Sequence, residues 1–279
     1  MAEVKVDTFE HRGCRHSYEV HGDGDDLVVY MHGLLMDREM NRALALTLVE
    51  HGYRVVLPDF LGHGESDKPR HASTYRMDQY ATDMVALLDH IGVEQAVFGG
   101  VSLGADVSLH LAVAAPQRVR GLLFEMPVLE WAVPAAALLF TPILLAMHYV
   151  PGPAGWFGRQ ISRVPRTANG SVNSLLTSLS TPPEVVKAVL HGILTGPVAP
   201  TVEQRRNVDA PALVIAHTRD VIHPFSDAEN LSDALPNGRL VPAHSMIELR
   251  VRPDRLTGEI INFLDELSGA TRDEAALTG

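Results

Sequence analysis

The stretch Gly100–Gly104 has the sequence G-V-S-L-G and contains a residue type that can act as a nucleophile. The apolar run 95–99 before it predicts a strand, and the apolar run 103–115 after it predicts a helix. A serine on such a strand-to-helix turn exposes its hydroxyl at the top of a sheet, and flanking glycines let neighbouring backbone approach closely. The pattern therefore predicts a nucleophile elbow, with Ser102 as nucleophile and the N–H group of Leu103 as an oxyanion donor.

Two further motifs precede the elbow. The dipeptide His32-Gly33 follows an apolar run at 27–31, and the loop 58–69 follows a second apolar run at 53–57. That loop contains D-x-x-G-H-G-x-S-x-x-P. Taken together with the elbow, the H-G dipeptide and this loop resemble the α/β-hydrolase fold superfamily. These motifs most resemble those of the branch that contains esterases, enol-lactonases, cofactor-free haloperoxidases and C–C hydrolases.

The resemblance implies a catalytic triad in the chain order Ser, Asp, His. Asp220 stands just past the apolar run 211–216, where the family has its acid, and His244 follows the last predicted strand, 239–243. The chemistry needs both residues, because a serine hydroxyl is a poor nucleophile until an imidazole, oriented by a carboxylate, takes its proton. The resemblance also implies that the backbone N–H group of Leu34 supplies the second oxyanion donor.

Other residues compete for these roles. Glu125 ends the predicted strand 119–125, and some relatives place the triad acid there. His223 is the nearest competitor of His244, but we expect the base to arrive on a separate loop from the acid, which makes His223 a rim residue. His217 replaces a frequent glycine of the family, and Ala243 replaces the glycine usual before the histidine, so the backbone path into His244 is expected to differ slightly.

Strand and helix patterns alternate along most of the chain, which is typical of βαβ units on a parallel sheet. After an N-terminal hairpin within residues 4–22, we predict a mostly parallel central sheet of about eight strands with helices on both faces. The alternation breaks between about 127 and 209, which predicts a mostly helical cap insertion. The α/β-hydrolase core then comprises residues 1–126 and 210–279.

The cap contains a long segment without ionisable acids or strong bases. From Trp131 to Gly158 there is no Asp, Glu, Lys or Arg, and 132–150 is long enough to suggest a transmembrane helix. Two prolines, together with a histidine and a tyrosine near the end, favour a pair of cap helices over a membrane span. Such a lid would line an acyl pocket with Leu, Met, Phe and Trp, which predicts a hydrophobic small-molecule substrate.

The composition excludes several function classes. A formal net charge of −11 argues against binding to nucleic acids or to anionic membranes. The single cysteine, Cys14, excludes an internal disulfide and a cysteine metal cluster. The N-terminus shows no basic stretch followed by an apolar one, so we expect no signal peptide and a cytoplasmic location. No cofactor or metal is implied, and the oligomeric state stays open.

These features predict a carboxylesterase-like serine hydrolase that cleaves a hydrophobic carboxylic ester through an acyl-enzyme intermediate. The same triad also serves C–C bond hydrolases, enol-lactonases and cofactor-free haloperoxidases, and the motifs do not separate these chemistries. A further alternative belongs to another class, because some proteins of this fold keep the triad but act as small-molecule receptors or binding proteins.

Overall fold

A computed structural model of the protein describes residues 4–218, 220, 222–245 and 247–278. The first three residues, on which the signal-peptide expectation partly rests, lie outside this range. Across the described residues one sheet contains eight strands, namely β1 Lys5–His11, β2 Cys14–His21, β3 Leu27–Met31, β4 Arg54–Pro58, β5 Ala96–Val101, β6 Val119–Glu125, β7 Ala212–His217 and β8 Gly238–Ala243.

The strand order in the sheet is β1-β2-β4-β3-β5-β6-β7-β8. The β1–β2 hairpin and the β2–β4 pair are antiparallel, and every pair from β4 to β8 is parallel. The carboxyl ends of β3, β5, β6 and β7 therefore meet at one edge of the sheet, which is where ligands bind in open α/β sheets. This mostly parallel sheet of the α/β-hydrolase fold is the predicted architecture.

The helices lie between and around these strands. In chain order they are α1 Arg42–Glu50, α2 Met77–Ile91, α3 Leu103–Ala114, α4 Val133–Tyr149, α5 Pro151–Ile161, α6 Gly170–Ser180, α7 Pro183–Thr195, α8 Val202–Arg205, α9 Phe225–Ala234, α10 Glu248–Val251 and α11 Asp254–Thr278. Helices α2, α3 and α9 contribute to the hydrophobic core on one face of the sheet, and α1 and α11 contribute to the core on the other face.

The central strands are buried on both faces, which explains their uninterrupted apolar composition. Every residue of β3, β5 and β7 is buried. Burial of both faces fixes the strands firmly, so the loops at their carboxyl ends start from rigid positions.

Five helices, α4 to α8, lie between β6 and β7, and we call this segment (residues 127–209) the cap. The buried Asp227 of α9 holds its start, because the carboxylate accepts the N–H groups of Leu129 at 2.9 Å, Trp131 at 3.1 Å and Ala132 at 2.9 Å. No single helix in the described ranges is long and apolar enough to cross a bilayer. Helices α4 and α5 meet that requirement only as a pair, and they are bent by 103° relative to each other.

Candidate active site

Ser102 occupies the sharp turn between β5 and α3. Its backbone has φ 52° and ψ −109°, a conformation that is uncommon for a residue with a side chain and costs free energy. The N–H group of Ser102 donates to the carbonyl oxygen of Glu125 at 2.8 Å, and the Asp106 N–H group donates to the Ser102 carbonyl at 3.0 Å. The turn is thus held by the end of β6 on one side and by the first turn of α3 on the other.

Positions 100 and 104 must be glycine because a Cβ atom at either one would clash with neighbouring backbone. A Cβ atom on Gly100 would lie 2.5 Å from the Met31 carbonyl oxygen and 2.8 Å from the Cα atom of Gly104. A Cβ atom on Gly104 would lie 2.6 Å from the same Met31 oxygen. The elbow therefore packs directly against the end of β3, as the G-x-S-x-G spacing predicts.

A histidine ring lies between Ser102 and a carboxylate, and that histidine is His223. Its Nε2 atom is 3.0 Å from the Ser102 Oγ atom, and its Nδ1 atom is 2.8 Å from the Asp220 Oδ2 atom. Because a carboxylate can only accept, Nδ1 carries a proton and Nε2 is left to accept the serine hydroxyl proton. This is the arrangement in which a serine is activated as a nucleophile.

The acid and the histidine share one tight turn. The Asp220 Oδ1 atom accepts the N–H groups of Ile222 at 2.8 Å and His223 at 3.1 Å, which folds the chain back on itself. This turn brings the His223 ring beside its own acid. We expected the base on a separate loop from the acid. An aspartate-capped turn instead places a histidine three residues later beside the acid.

The expectation that the His244 ring would reach Ser102 is not met. The His244 side chain is 80% exposed and faces Glu248, whose carboxylate lies 3.3 Å from its Nδ1 atom. Glu248 also accepts the His244 N–H group at 2.5 Å and is held by Arg255 at 2.9 Å. This carboxylate holds the His244 backbone, and the ring is exposed to solvent.

The pKa of Asp220 is lowered to about 2. Burial alone would raise the pKa of this carboxyl group, but the hydrogen bonds from the His223 ring and from the N–H groups of Ile222 and His223 outweigh it. Asp220 therefore stays ionised at every pH at which the protein would act. An ionised carboxylate is what holds a neighbouring imidazole in one tautomer.

Glu125, the alternative acid, is engaged elsewhere. Its carboxylate accepts two hydrogen bonds from Arg250, at 2.8 and 3.0 Å, and one from the Tyr30 hydroxyl at 2.8 Å. The neighbouring His217 is buried, and burial lowers its pKa. Among the described residues neither ring nitrogen of His217 has a hydrogen-bond partner. Neither the Glu125 carboxylate nor the His217 ring is therefore hydrogen-bonded to the Ser102 hydroxyl in the described structure.

Leu34 and Leu103, the predicted oxyanion donors, both line the cavity beside Ser102. No described residue accepts a hydrogen bond from the backbone N–H group of either one. Two N–H groups without acceptors next to a serine hydroxyl are suited to stabilise negative charge that develops on a substrate oxygen.

Two buried histidines hold the His-Gly loop (His32–Met36), which carries Leu34. The His32 ring accepts the Phe60 N–H group at 3.1 Å and donates to the Gly33 carbonyl at 2.8 Å. The His63 ring accepts the Leu35 N–H group at 3.1 Å and contacts the Leu61 carbonyl at 3.0 Å.

These bonds require neutral imidazoles, since one ring nitrogen must accept. Burial lowers the pKa of both rings, and at His63 the neighbouring His32 ring lowers the pKa further. Leu35 itself has φ 61°, so the loop is held in a conformation that a leucine rarely adopts. Phe60, Leu61 and His63 of the loop 58–69 therefore support the backbone that carries Leu34, a predicted oxyanion donor.

The elbow opens into a cavity of about 400 Å³ between the core and the cap. Its wall is mainly apolar: Met36, Met40, Met77 and Met126 come from the core, and Val133, Ala136, Ala137, Phe140, Ile193, Leu194 and Val198 come from the cap. Trp131 and Trp156, which we expected among apolar lining residues, are instead exposed at 68% and 59%. Within the described part of the chain, Asp106 and His223 are the ionisable side chains in this wall.

The chain matches the family model for the alpha/beta hydrolase fold over residues 26–223. This match covers more than half of the sequence, so the protein belongs to the α/β-hydrolase fold family. Membership supports hydrolysis as the broad class of reaction. Within the described residues, no group of three or more His, Cys, Asp or Glu side chains could hold a metal ion.

Individual relatives extend over nearly the whole chain. An uncharacterized protein of Mycobacterium tuberculosis is 25% identical over 289 residues, which cover 95% of this chain and 82% of the relative. A non-heme chloroperoxidase of Streptomyces lividans is 27% identical over 277 residues, covering 88% of this chain and 95% of the relative. The solved enol-lactonase from Burkholderia xenovorans superposes with a TM-score of 0.75 at 20% identity, over 93% of this chain and 100% of the other. At this identity the structural likeness establishes the fold.

Proposed function

We propose that this protein is a serine hydrolase that cleaves a carboxylic ester of a hydrophobic small molecule through an acyl-enzyme intermediate. The observation that carries the proposal is the chain of short contacts from Ser102 Oγ to His223 Nε2, at 3.0 Å, and from His223 Nδ1 to Asp220 Oδ2, at 2.8 Å. These contacts lie at the wall of an apolar cavity.

In the proposed reaction His223 takes the Ser102 hydroxyl proton while the serine oxygen attacks the ester carbonyl carbon. The oxygen of the tetrahedral intermediate accepts hydrogen bonds from the Leu34 and Leu103 N–H groups. His223 then gives its proton to the leaving alcohol, and the acyl group remains on Ser102. A water molecule, deprotonated by His223, releases the acid in a second passage through the same steps.

The apolar cavity wall favours substrates with a hydrophobic acyl or aryl group. Methionines from the core and aliphatic side chains from α4 and α7 line the same cavity as Ser102, and such walls bind apolar ligands by removing their surface from water. We therefore expect p-nitrophenyl butyrate and hexanoate to be better substrates than esters of highly polar acids. Faster turnover of the polar esters would contradict this part of the proposal.

Covalent labelling tests the proposed nucleophile. A fluorophosphonate probe should add one label, located at Ser102 by peptide mass analysis, and intact-mass measurement during ester turnover should show the acyl adduct. Ser102→Ala should lose the label and lower turnover on the order of 10⁶-fold. Ser108→Ala is the matched control, because Ser108 is a nearby buried serine of α3 whose hydroxyl donates to the Gly104 carbonyl. Retained turnover in Ser102→Ala would refute the proposal.

Lactone opening is the second candidate reaction, because a lactone is an internal ester and the same groups would attack it. The fold likeness to an enol-lactonase favours testing it first among the alternatives. A panel of esters, lactones and thioesters, with kcat/KM measured for each, separates the two candidates. Labelling without turnover on any member would instead support a receptor that retains the triad.

A further inference from the structure

Asp106 is the ionisable residue in the cavity wall that the proposed mechanism does not use. It lies in the first turn of α3, four residues after Ser102, and its side chain is fully buried. Its Oδ1 atom accepts the N–H group of Val128 at 2.9 Å. Its Oδ2 atom is buried and has no hydrogen-bond partner among the described residues. One carboxyl oxygen therefore holds the start of the cap, and the other has no described partner.

An unpartnered carboxyl oxygen in an apolar wall is costly, since burial of a polar group without a hydrogen bond is unfavourable. Burial raises the pKa of Asp106 well above its usual range, and the nearby Asp227 carboxylate raises it further. Both effects favour the protonated, neutral form of this side chain. Because Oδ1 accepts from Val128, a proton on this carboxyl group would reside on Oδ2, and Oδ2 would then be a donor without an acceptor among the described residues.

Binding pockets typically combine apolar walls with a few polar groups that determine which ligand fits. Holding Val128 would require only one acceptor oxygen, so that role does not account for the second oxygen. A substrate group that accepts a hydrogen bond would satisfy it. Asp106 lies one helical turn from Ser102, about 6 Å along the α3 axis. The accepting group would therefore sit several bonds from the ester carbonyl.

We propose that Asp106 forms a polar subsite of the cavity that selects acyl chains carrying a ketone or hydroxyl oxygen beyond the ester carbonyl. This inference rests on the proposed ester hydrolysis and adds a substrate class to it. Asp106 is thereby a specificity-determining residue, and the rest of the acyl chain contacts the apolar wall.

Matched pairs of p-nitrophenyl esters test the subsite. Keto esters with the ketone at the fourth, fifth or sixth carbon are compared with plain esters of the same chain length. The wild type should prefer at least one keto ester by about three- to tenfold in kcat/KM, the contribution expected of one neutral hydrogen bond. Asp106→Asn should keep the preference, because an amide N–H₂ group replaces the Oδ2 donor and the amide oxygen still accepts from Val128.

Asp106→Ala should abolish the preference. Loss of the Val128 contact in this variant affects both esters of a pair, so the ratio of their kcat/KM values isolates the missing donor. The inference is overturned if plain esters are hydrolysed with an adduct on Ser102 but no keto ester exceeds its plain partner, or if Asp106→Ala keeps the preference.

A binding measurement keeps this test separate from that of the proposed function. With Ser102→Ala as background, calorimetry gives the Kd of each ester without turnover. A three- to tenfold tighter Kd for a keto ester, lost on adding Asp106→Ala, supports the subsite even if the wild type forms no acyl adduct. Equal Kd values within every pair overturn it.

Discussion

The Nε2 atom of His223 lies 3.0 Å from the Oγ atom of Ser102, although 120 residues separate them in the chain. The carboxylate that orients this ring belongs to Asp220, three residues earlier in the same turn. The other histidine considered, His244, is exposed and binds Glu248. Substitution of His223, after β7, and of His244, after β8, can therefore distinguish the roles of these two neighbouring loops.

Replacement of the two histidines provides the sharpest comparison. We expect His223→Ala to lower kcat on p-nitrophenyl butyrate by about 10⁴- to 10⁶-fold, because no base would remain beside Ser102. His244→Ala should change kcat little, since its ring is 80% exposed and its recorded polar partner is Glu248, not Ser102. Steady-state kinetics of both variants decide the matter. The reverse result would place the base on the loop after β8 and contradict the proposed triad.

Substitution of the two carboxylates, Asp220 and Glu125, should distinguish their roles in the same way. Asp220→Asn should reduce kcat by about 10⁴-fold, because a neutral amide no longer fixes the imidazole tautomer. Glu125→Gln should retain most of kcat but lower the melting temperature, because it leaves the Arg250 guanidinium without its buried partner. Kinetics and thermal unfolding of each variant form the measurement. A catalytic loss in Glu125→Gln with an unchanged melting temperature would contradict this assignment.

His63 should influence the reaction through the position of Leu34. His63→Ala removes the acceptor of the Leu35 N–H group, so the His-Gly loop should relax and weaken one oxyanion donor. We expect kcat to fall by about 10- to 100-fold with little change in KM, somewhat less than deletion of a donor costs. His63→Gln, which offers an amide oxygen as acceptor, should recover part of the loss. Equal activity of the alanine variant and the wild type would argue against this support.

The same histidine predicts a pH dependence of stability. The pKa of His63 in the folded protein is lowered well below 6.5, so only the unfolded chain takes up this proton in mildly acidic solution. The free energy of unfolding should therefore fall as the pH decreases from 7 to 5, by up to ~1.4 kcal/mol per pH unit from this group. Urea unfolding should show a smaller fall for His63→Gln than for the wild type. The exposed His191, as His191→Gln, is the control and should keep the wild-type slope.

Asp227 should stabilise the start of the cap and thereby the cavity wall formed by α4. Asp227→Ala leaves the N–H groups of Leu129, Trp131 and Ala132 without their acceptor, which should destabilise the protein by about 3 kcal/mol. The cavity wall formed by α4 should loosen, so KM should rise more for hexanoate than for acetate esters. Asp233→Ala, at an exposed position of α9, is the control and should change neither property. An unchanged hexanoate KM in a destabilised Asp227→Ala would limit Asp227 to a structural role.

Much of the fold is predictable because its strands are buried on both faces. The apolar run 27–31 becomes β3 with the same bounds, and the predicted strand 119–125 is β6. The elbow is predictable for a related reason, since Gly100 and Gly104 are required by contacts with Met31 that no side chain would permit. These are local constraints, and a single sequence displays them directly.

The position of the histidine was not predictable in the same way. The family pattern favoured His244, but its ring is exposed and its backbone is held by Glu248, four residues later, which no spacing rule anticipates. The signal for His223 was present: it lies three residues after Asp220, where a turn capped by the aspartate side chain brings the His223 ring to the Asp220 carboxylate. Residues of α4 and α7 line the cavity, but which face of each helix turns inward depends on tertiary packing. For that reason the two tryptophans were misplaced.

The shared turn of Asp220 and His223 has a consequence for engineering. Because the proposed acid and base come from one short piece of chain, the proposed triad derives from two segments of the polypeptide, where the predicted order Ser102, Asp220, His244 needs three. New termini from circular permutation, or a domain fused into the loop after β8, would leave both segments whole. An insertion in the loop after β8 should thus allow tethering or display without separating the proposed acid and base.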